Sequence, residues 1–283
     1  MSELFSNKMV TVPFISRQVE FGYSDVTLKN NRQGQISDFF KKAEAQAMSY
    51  LNMLNESTDA FTSVSKEQTL IETYLRTASP KMLNIGCGTN LQEGWLNTDL
   101  HPERGVVFMN AALPFPFADD TFDYVYSEHL LEHLPYASGK SMLRECWRVL
   151  KPGGKLRISV PTLDFLIKLY REPNSERTQQ YVAWSLKHYA PDMYDDFHME
   201  SAALPVSLVV NNFMHFWNHQ MIYDEQTLIQ VLRIVGFSQI EKFDSGQSRD
   251  DFLTNLERHG EVIPHWANEM ETIVVEAYKH LSR

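Results

Sequence analysis

A short apolar run that ends in two glycines constrains the fold of this chain more than any other feature. Residues 81–85 have the character of a short buried strand, and Gly86 and Gly88 follow it directly. Glycines at this position let the backbone turn tightly and approach a ligand closely, where any Cβ atom would collide. The pattern predicts a ligand-binding turn at the carboxyl end of a strand, although a glycine pair alone is also compatible with an ordinary turn.

The next predicted strand ends in an acid. Residues 95–99 form a second apolar run that closes with Asp99, and a carboxylate there can accept both hydroxyls of a ribose at about 1.5–3 kcal/mol per bond. Asp99 lies 11 positions after Gly88, and Asn90 stands where a third glycine would be. A dinucleotide fingerprint has its acid about 20 residues on. The ends of these two strands therefore favour binding of an adenosine without a diphosphate. The alternative role for Asp99 is to stabilise a turn or to cap a helix.

Further short strands and helices alternate along the rest of the chain. Additional strands are predicted over 106–109, 123–127, 155–160, 238–243 and 271–278. An amphipathic helix is predicted over 138–150, and another between Asp224 and Gly236. Buried strands that alternate with helices are typical of a parallel sheet covered on both faces, joined by right-handed crossovers. The fold class predicted is α/β, with a Rossmann-like sheet.

Three regions that differ in their residue pattern suggest the domain organisation. Residues 1–79 are predicted to form a helical extension, and residues 80–283 the main domain. Within that domain, residues 162–223 separate a strand from a helix that a few residues would normally join, and they are rich in aromatic residues and histidines. Long insertions at the carboxyl end of such a sheet commonly build the substrate side of a cleft, so we interpret this segment as a cap. Its aromatic residues are equally compatible with a core of the cap's own.

The amino-acid composition restricts the classes of binding partner that this chain can have. The chain carries 26 Lys and Arg against 36 Asp and Glu, a net charge of −10. Nucleic-acid binding draws on a basic surface, so a nucleic-acid partner is not expected. With two cysteines, no run of apolar residues long enough for a bilayer and no signal-peptide pattern, we expect a soluble cytoplasmic protein.

Taken in order, these motifs resemble class I S-adenosylmethionine-dependent methyltransferases, in particular a bacterial group with a shortened first crossover. The resemblance rests on LNIGCG, GWLNTDL, LPFPFADDTFDYVYSEHLLEHLP, LRECWRVLKPGGKLRISVP, YDEQTLIQVLRIVGF and ETIVVEAYK. It covers residues 81–161 closely and residues 219–279 loosely. It implies a seven-stranded, mostly parallel sheet with an antiparallel last strand, and S-adenosylmethionine as the cofactor.

The resemblance also implies a set of cofactor-binding residues at the strand ends. They are Asn84, Gly86, Cys87, Gly88, Asp99, Leu100, Asn110, Ala111, Ala112 and Ser127. Asp99 would hold the ribose, and residues 110–112 would border the adenine. Asn84 departs from the family pattern, in which many relatives carry an acid near this position, and Glu128 is the candidate that would neutralise the methionine ammonium instead.

The candidate catalytic residues follow the fourth predicted strand. A general base is useful when the methyl acceptor is a hydroxyl, and His129 is the first candidate, with Glu128 second. Both also suit polar strand-end residues with no part in proton transfer. The candidate substrate residues are His133, His215, His219 and Tyr223.

Residues 129–133 match the H-x-x-E-H pattern of some zinc proteases. Pro135 ends any helix there, and no downstream ligand stands out, so we expect no metal.

The function expected is methyl transfer to a hydroxyl, or an amine, of a sugar or other small polar metabolite such as a glycan precursor. The N-terminal helices are compatible with a homodimer. A nicotinamide-dependent oxidoreductase is one alternative, against which the short interval between Gly88 and Asp99 counts. A non-catalytic nucleoside-binding or scaffold protein of the same fold is the other, which the Asn84 departure keeps open.

Overall fold

A computed structural model describes residues 69–101, 105–200 and 203–280. The helix predicted over 36–54 lies outside the described residues. Of the helix predicted from Ser65, the described part, 69–77, is helical. The predicted boundary at residue 79 stays a prediction.

Seven strands form one sheet in the order β3-β2-β1-β4-β5-β7-β6. They are β1 (Met82–Ile85), β2 (Leu96–Asp99), β3 (Val107–Phe108), β4 (Phe122–Glu128), β5 (Leu150–Pro161), β6 (Phe237–Phe243) and β7 (Thr272–Lys279). Strands β1 to β5 run parallel, and β7 pairs antiparallel with both β5 and β6. The predicted Rossmann-like fold with an antiparallel last strand is confirmed. Because the strand order reverses between β1 and β4, ligands are expected above the carboxyl ends of these two strands.

Besides the helical segment 69–77, eight helices complete the architecture of the described residues. They are α1 (Tyr136–Val149), α2 (Leu163–Arg171), α3 (Glu176–Tyr189), α4 (Pro191–Glu200), α5 (Val206–His215), α6 (Glu225–Val235), α7 (His259–Val262) and α8 (His265–Glu271). As predicted, Asp224 caps α6, since its side chain accepts the Thr227 amide at 2.6 Å, and Gly236 follows the last residue of the helix. Helix α1 begins two residues before Ser138, and a short 3₁₀ turn, Leu131–His133, precedes it.

The sheet core consists of side chains from the strands and from helices α1 and α6. Every residue of β1 is buried, and α1 contributes Met142, Leu143, Cys146 and Val149. Burying an aliphatic side chain of this size stabilises the fold by about 1.5–3 kcal/mol. These contacts hold the strand ends, and the turns that follow them, in a fixed arrangement.

Helices α2 to α5 occupy the segment interpreted as a cap, and they have a separate hydrophobic cluster that includes Phe165, Tyr181 and Val209. Both ends of the segment meet at the sheet, because Thr162 forms a β-bridge with Tyr223 and the Leu163 amide donates to the Tyr223 carbonyl. Ile263 and Ala267 join the same cluster from residues 244–271, the connection between β6 and β7. The contribution of this second insertion to the cap cluster was not predicted from the sequence.

Among the described residues, every helix is too short or too polar to cross a lipid bilayer. The cytoplasmic location stays a prediction.

Candidate functional site

The glycine turn and the acid predicted from the sequence lie together at the ends of β1 and β2. Gly86 and Gly88 have φ angles of +65° and +49°. A Cβ atom at Gly86 would lie 2.7 Å from Cδ2 of Leu130, whereas one at Gly88 would meet nothing within 4 Å. The Gly88 amide donates to Oδ2 of Asp99 at 2.9 Å, and the His101 amide donates to Oδ1 at 2.8 Å. Gly88 therefore offers open backbone beside a carboxylate, while Gly86 is required by packing.

Asn84 stabilises this turn through hydrogen bonds of its side chain. Its buried amide donates to the Asn90 carbonyl at 3.0 Å and to Oδ1 of Asn97 at 2.9 Å. Oδ1 of Asn97 also accepts the Gln92 amide at 2.9 Å. Asn84 thus lies next to the glycine loop, where its side chain takes part in a network of amides.

The predicted adenine-side segment follows β3 and lies beside the end of β2. The Met109 amide donates to the Asp99 carbonyl at 2.9 Å, and Oδ1 of Asn110 accepts the Ala112 amide at 2.9 Å. Leu100 is exposed and Ala112 is half-buried, whereas Ala111 packs in the sheet core. The Asn110 side chain therefore closes its own turn.

Cys87 is buried in the same turn. Burial, followed by the charge of Asp99, raises the pKa of its thiol to about 11, so the thiol is neutral at physiological pH. Its amide donates to the Thr98 carbonyl at 3.0 Å, which joins the turn to β2.

Ser127 and Glu128 end β4. The Ser127 hydroxyl is buried and has no hydrogen-bond partner among the described residues. The Glu128 carboxylate accepts the Asn90 side-chain amide at 2.8 Å and the backbone amides of Arg258 and His259 at 3.1 and 3.0 Å. Glu128 therefore joins the glycine loop to the start of α7.

A cavity of about 170 Å³ lies between the end of the sheet and the cap. It is lined by His129, Glu132, His133, Pro161, Tyr181, Trp184, Tyr189, Phe213, Trp217, His219, His259 and Glu271. Three residues predicted from the sequence, His129, His133 and His219, are brought together here. Their neighbour Glu128 is not part of this lining.

Two predicted substrate residues are placed elsewhere. His215 is exposed at the end of α5, and Tyr223 is fully buried in the sheet core beneath α1. The role of His215 and Tyr223 in binding the acceptor stays a prediction, but they do not line this cavity. The reason is that α5 directs His215 outwards, while the bridge to Thr162 directs Tyr223 into the core.

His129 occupies an unusual position on the cavity wall. Its φ angle of +46° is rare for a residue with a side chain, its Nδ1 lies 3.1 Å from Oε1 of Glu132, and its ring stacks on His259 with centroids 3.9 Å apart. Burial lowers the pKa of His129, but the hydrogen bond and charge of Glu132 outweigh burial, so its pKa is raised. The converse holds for Glu132: burial raises its pKa, and the contact with His129 outweighs burial and lowers it.

Sequence reasoning missed His259, Glu271 and Tyr181. Nε2 of His259 lies 3.4 Å from Oε1 of Glu271, and the Tyr181 hydroxyl donates to the other oxygen of that carboxylate. These contacts continue the chain of polar groups from Glu132 and His129 across the cavity. The available signal was the length of the connection between the last two strands, which exceeds what a turn needs.

Glu132, His133 and His219 form one further cluster in this cavity, with one ligand atom from each lying within 4.8 Å of the others. Nδ1 of His219 lies 2.7 Å from the Phe213 carbonyl oxygen, and burial lowers the pKa of this ring. A neutral histidine with one nitrogen held by a carbonyl presents its other nitrogen as an acceptor. The absence of a metal was expected from the sequence, but this residue set has the chemistry of a metal site.

Comparison with known proteins finds a family that matches part of the chain. The family model described as a methyltransferase domain matches residues 96–158, from β2 into β5. An uncharacterized protein of Haemophilus influenzae is 36% identical over 67 residues, which are 24% of this chain and 25% of that protein. The chain thus matches about a quarter of the length of this curated relative.

Several solved structures are similar at low sequence identity. They include a SAM-dependent methyltransferase of Archaeoglobus fulgidus (17% identity, 75% of this chain and 92% of that chain, TM-score 0.39). A SAM-dependent methyltransferase of Thermotoga maritima (13%, 81% and 98%, TM-score 0.40) is another. A third is the phosphoethanolamine N-methyltransferase 2 of Haemonchus contortus in complex with S-adenosyl-L-methionine (16%, 76% and 52%, TM-score 0.37).

The family match includes Asp99 and the end of β4, and it falls on a sheet in which β7 is inserted antiparallel between β5 and β6. Residues 96–158 are therefore similar to a methyltransferase domain, and they lie within the seven-stranded sheet described above.

Proposed function

We propose that this protein transfers a methyl group from S-adenosylmethionine to a hydroxyl or an amine of a small polar metabolite, such as a sugar or a glycan precursor. The observation that carries the proposal is the junction at the end of β4. Glu128 binds the glycine loop on the cofactor side, and His129 lines the cavity on the other side. A sulfonium held above β1 and β4 would present its methyl group to the cavity.

The cofactor is held, in this proposal, by residues at three strand ends. Open backbone at Gly88 accommodates the nucleoside, the Asp99 carboxylate accepts the ribose hydroxyls, and residues 110–112 border the adenine. Methyl transfer from a sulfonium is an in-line displacement with a neutral leaving group, so alignment is the main task of the protein. Alignment of well-oriented reactants is worth up to about 7–11 kcal/mol.

The lining of the cavity supports a small polar acceptor. The lining includes imidazoles and the carboxylates of Glu132 and Glu271, which can accept hydrogen bonds from hydroxyls or amines. It also includes Trp184, Tyr189 and Trp217, and aromatic rings can stack on a sugar ring. The net charge of −10 disfavours a nucleic-acid acceptor.

His129 is proposed as the group that receives the acceptor's proton. Its ring lies on the cavity wall and is held in one orientation between Glu132 and His259. Glu128, the second candidate from the sequence, suits a positioning role better, because three donors already engage its carboxylate.

The first experiment compares cofactors and acceptors. Calorimetric titration should give saturable binding of S-adenosylmethionine and none of NAD or NADP. Labelled methyl groups should then appear on members of a panel of sugars, nucleotide sugars and small amines. Binding of a nicotinamide cofactor instead would make the protein an oxidoreductase, and nucleoside binding without transfer to any panel member would favour a binding or scaffold protein.

The second experiment tests His129. In His129→Ala we expect turnover on a hydroxyl acceptor to fall by about 10²–10⁴-fold, while the dissociation constant for the cofactor stays close to that of the wild type. His198→Ala, on the exposed α4, is the matched control and should change neither quantity. A loss confined to cofactor binding would contradict the assignment of His129.

A further inference from the structure

We propose that Glu132, His133 and His219 bind a divalent transition-metal ion on the wall of the acceptor cavity. One ligand atom of each residue lies within 4.8 Å of the other two. Two imidazoles with one carboxylate are a common ligand set for zinc in open sites, and for ferrous iron.

The backbone fixes these three residues relative to one another. Glu132 and His133 belong to the 3₁₀ turn Leu131–His133, and the Glu132 carbonyl accepts the amides of Gln220 and Met221 at 2.7 and 3.1 Å. His219 immediately precedes these donors. The two segments that supply the ligands are therefore tied together by main-chain hydrogen bonds, and the cluster does not depend on flexible side chains alone.

The histidine rings present suitable nitrogens. The 2.7 Å contact between Nδ1 of His219 and the Phe213 carbonyl requires a proton on Nδ1. Nε2 then carries the lone pair, and this use of the second nitrogen is usual for metal-binding histidines. The His133 ring lies edge-on to the His219 ring, with centroids 5.0 Å apart, so both rings border the same space.

Glu132 provides the observation that points to a ligand. Its side chain is fully buried, it lines the cavity, and Oε1 lies 3.1 Å from the His129 ring. Oε2 has no hydrogen-bond partner among the described residues. A buried ionised oxygen left without a partner is costly, and a cation bound between Glu132 and the two imidazoles would satisfy it.

Binding would draw the ligands closer together. Zinc lies about 2.0–2.2 Å from its nitrogen and oxygen ligands, so two ligands of a tetrahedral ion are about 3.4 Å apart. The His133 ring is only half-buried and can turn inwards. Three protein ligands leave at least one position open to the cavity, and an acceptor oxygen could occupy it. That last consequence rests on the proposed function, whereas metal binding itself does not.

Direct metal binding tests the proposal. Protein freed of metal by dialysis against a chelator is titrated with Zn²⁺ in the presence of a competing chromophoric chelator. We expect one Zn²⁺ per chain and a higher melting temperature with metal, since the ion binds the folded state. In Glu132→Gln and His219→Ala the affinity should fall by at least about a hundredfold, because losing a ligand costs more than losing an outer-shell partner. His215→Ala, outside the cavity, should bind as the wild type does.

The outcomes separate cleanly. Absence of stoichiometric Zn²⁺ binding by the wild type, or wild-type affinity in His219→Ala, would overturn the site. If Glu132→Gln does not fold, as judged by circular dichroism, the Zn²⁺ affinity of His219→Ala still tests the site, because the His219 side chain is only half-buried. Titration of the same samples with S-adenosylmethionine distinguishes the two proposals: intact cofactor binding without metal binding counts against the metal site alone, and metal binding without cofactor binding counts against the methyltransferase alone.

Discussion

Asp99 shows how one side chain can both shape a turn and remain available to a ligand. Its carboxylate accepts the amides of Gly88 and His101, one at each oxygen. An ionised carboxylate has about four lone-pair sites, so two remain for the hydroxyls of a ribose. The proximity of Asp99 to the glycine turn was expected from the sequence, because the carboxyl ends of neighbouring parallel strands meet at one edge of the sheet. The contact of Asp99 with a ribose stays a prediction.

We expect Asp99→Ala to weaken S-adenosylmethionine binding by about ten- to a hundredfold, since it removes one or two charge-assisted hydrogen bonds. The fold should persist, because the turn keeps the main-chain bond between Cys87 and Thr98. Calorimetry measures the affinity, and circular dichroism reports the fold.

The matched control is Asp119→Asn. Asp119 is also an acid near a strand of the sheet, but it lies before the amino end of β4, whereas Asp99 lies at the carboxyl end of β2. The Asp119 side chain is 73% exposed. This variant should bind the cofactor as the wild type does. An unchanged affinity in Asp99→Ala would remove Asp99 from the site.

Between elements, charged contacts fix the segments that surround the site. On α1, Glu145 accepts the Phe115 amide at 2.7 Å and pairs with Arg148, which itself donates to the Phe117 carbonyl. These contacts hold the loop that follows the predicted adenine-side segment. The hydrogen bond from Arg148 lowers the pKa of Glu145 below its usual value of about 4.5, and this effect outweighs burial.

A lowered pKa gives a definite sign to the pH dependence. Since Glu145 releases its proton more readily in the folded state, its contribution to stability is complete above its usual pKa and is lost as the pH falls through the lowered value. We expect Glu145→Gln to reduce the free energy of unfolding by about 1–2 kcal/mol at neutral pH. The difference from the wild type should shrink as the pH falls below about 4.5, as measured by urea denaturation. Glu93→Gln, at an exposed turn, is the control, and a difference independent of pH would contradict this explanation.

The buried ion cluster around Arg157 joins β5 to the second insertion. The fully buried guanidinium of Arg157 binds Glu257 at 2.7 Å and Glu276 of β7 at 2.6 Å, and it donates to the Gln247 carbonyl at 2.9 Å. Glu257 directly precedes Arg258 and His259, whose amides bind Glu128. The cluster thus positions the segment that covers one side of the site.

Arg157→Met should therefore destabilise the protein by about 3–5 kcal/mol, because it leaves two carboxylates buried without a counter-charge. Arg249→Met removes an exposed pair with Glu241 and should cost at most about 1 kcal/mol. Urea denaturation of both variants measures the change in the free energy of unfolding. Equal decreases would show that the buried cluster stabilises the fold no more than the exposed ion pair does.

Patterns in the sequence predict secondary-structure elements better than they predict which distant residues come into contact. The strands were predicted because each is a short apolar run, yet β5 begins at Leu150, five residues earlier than predicted, with a bulge opposite Phe122 and Tyr124. Residues 244–271 have no clear periodicity, so their contribution of His259 and Glu271 was missed. Likewise, Glu132 and His219 are 87 positions apart, and only the main-chain bonds to residues 220 and 221 bring them together.

Over the described part of the molecule, the cap core reaches the cavity through Tyr181 and Phe213, and Pro161 at the end of β5 lines it from the sheet. A ligand bound above β1 and β4 contacts groups that the fold alone brings together. Such a ligand binds the folded state and not the unfolded chain, so its affinity adds directly to the stability of the whole domain.

The product S-adenosylhomocysteine, at about a hundred times its dissociation constant, should add about 2.7 kcal/mol of stability. For a domain of roughly 150–250 residues this corresponds to a rise in melting temperature of about 5–10 °C. NAD at the same concentration should give no rise. In Asp99→Ala, whose affinity is expected to be ten- to a hundredfold weaker, the same product concentration should add only about 0.4–1.4 kcal/mol. Differential scanning calorimetry measures these shifts. An equal rise with NAD, or a full rise in Asp99→Ala, would mean that the domain binds its ligand in a different way from the one proposed. The loss in Asp99→Ala follows from the carboxylate at the end of β2, and the selectivity against NAD follows from the short interval between Gly88 and Asp99 and from Asn90 in place of a third glycine.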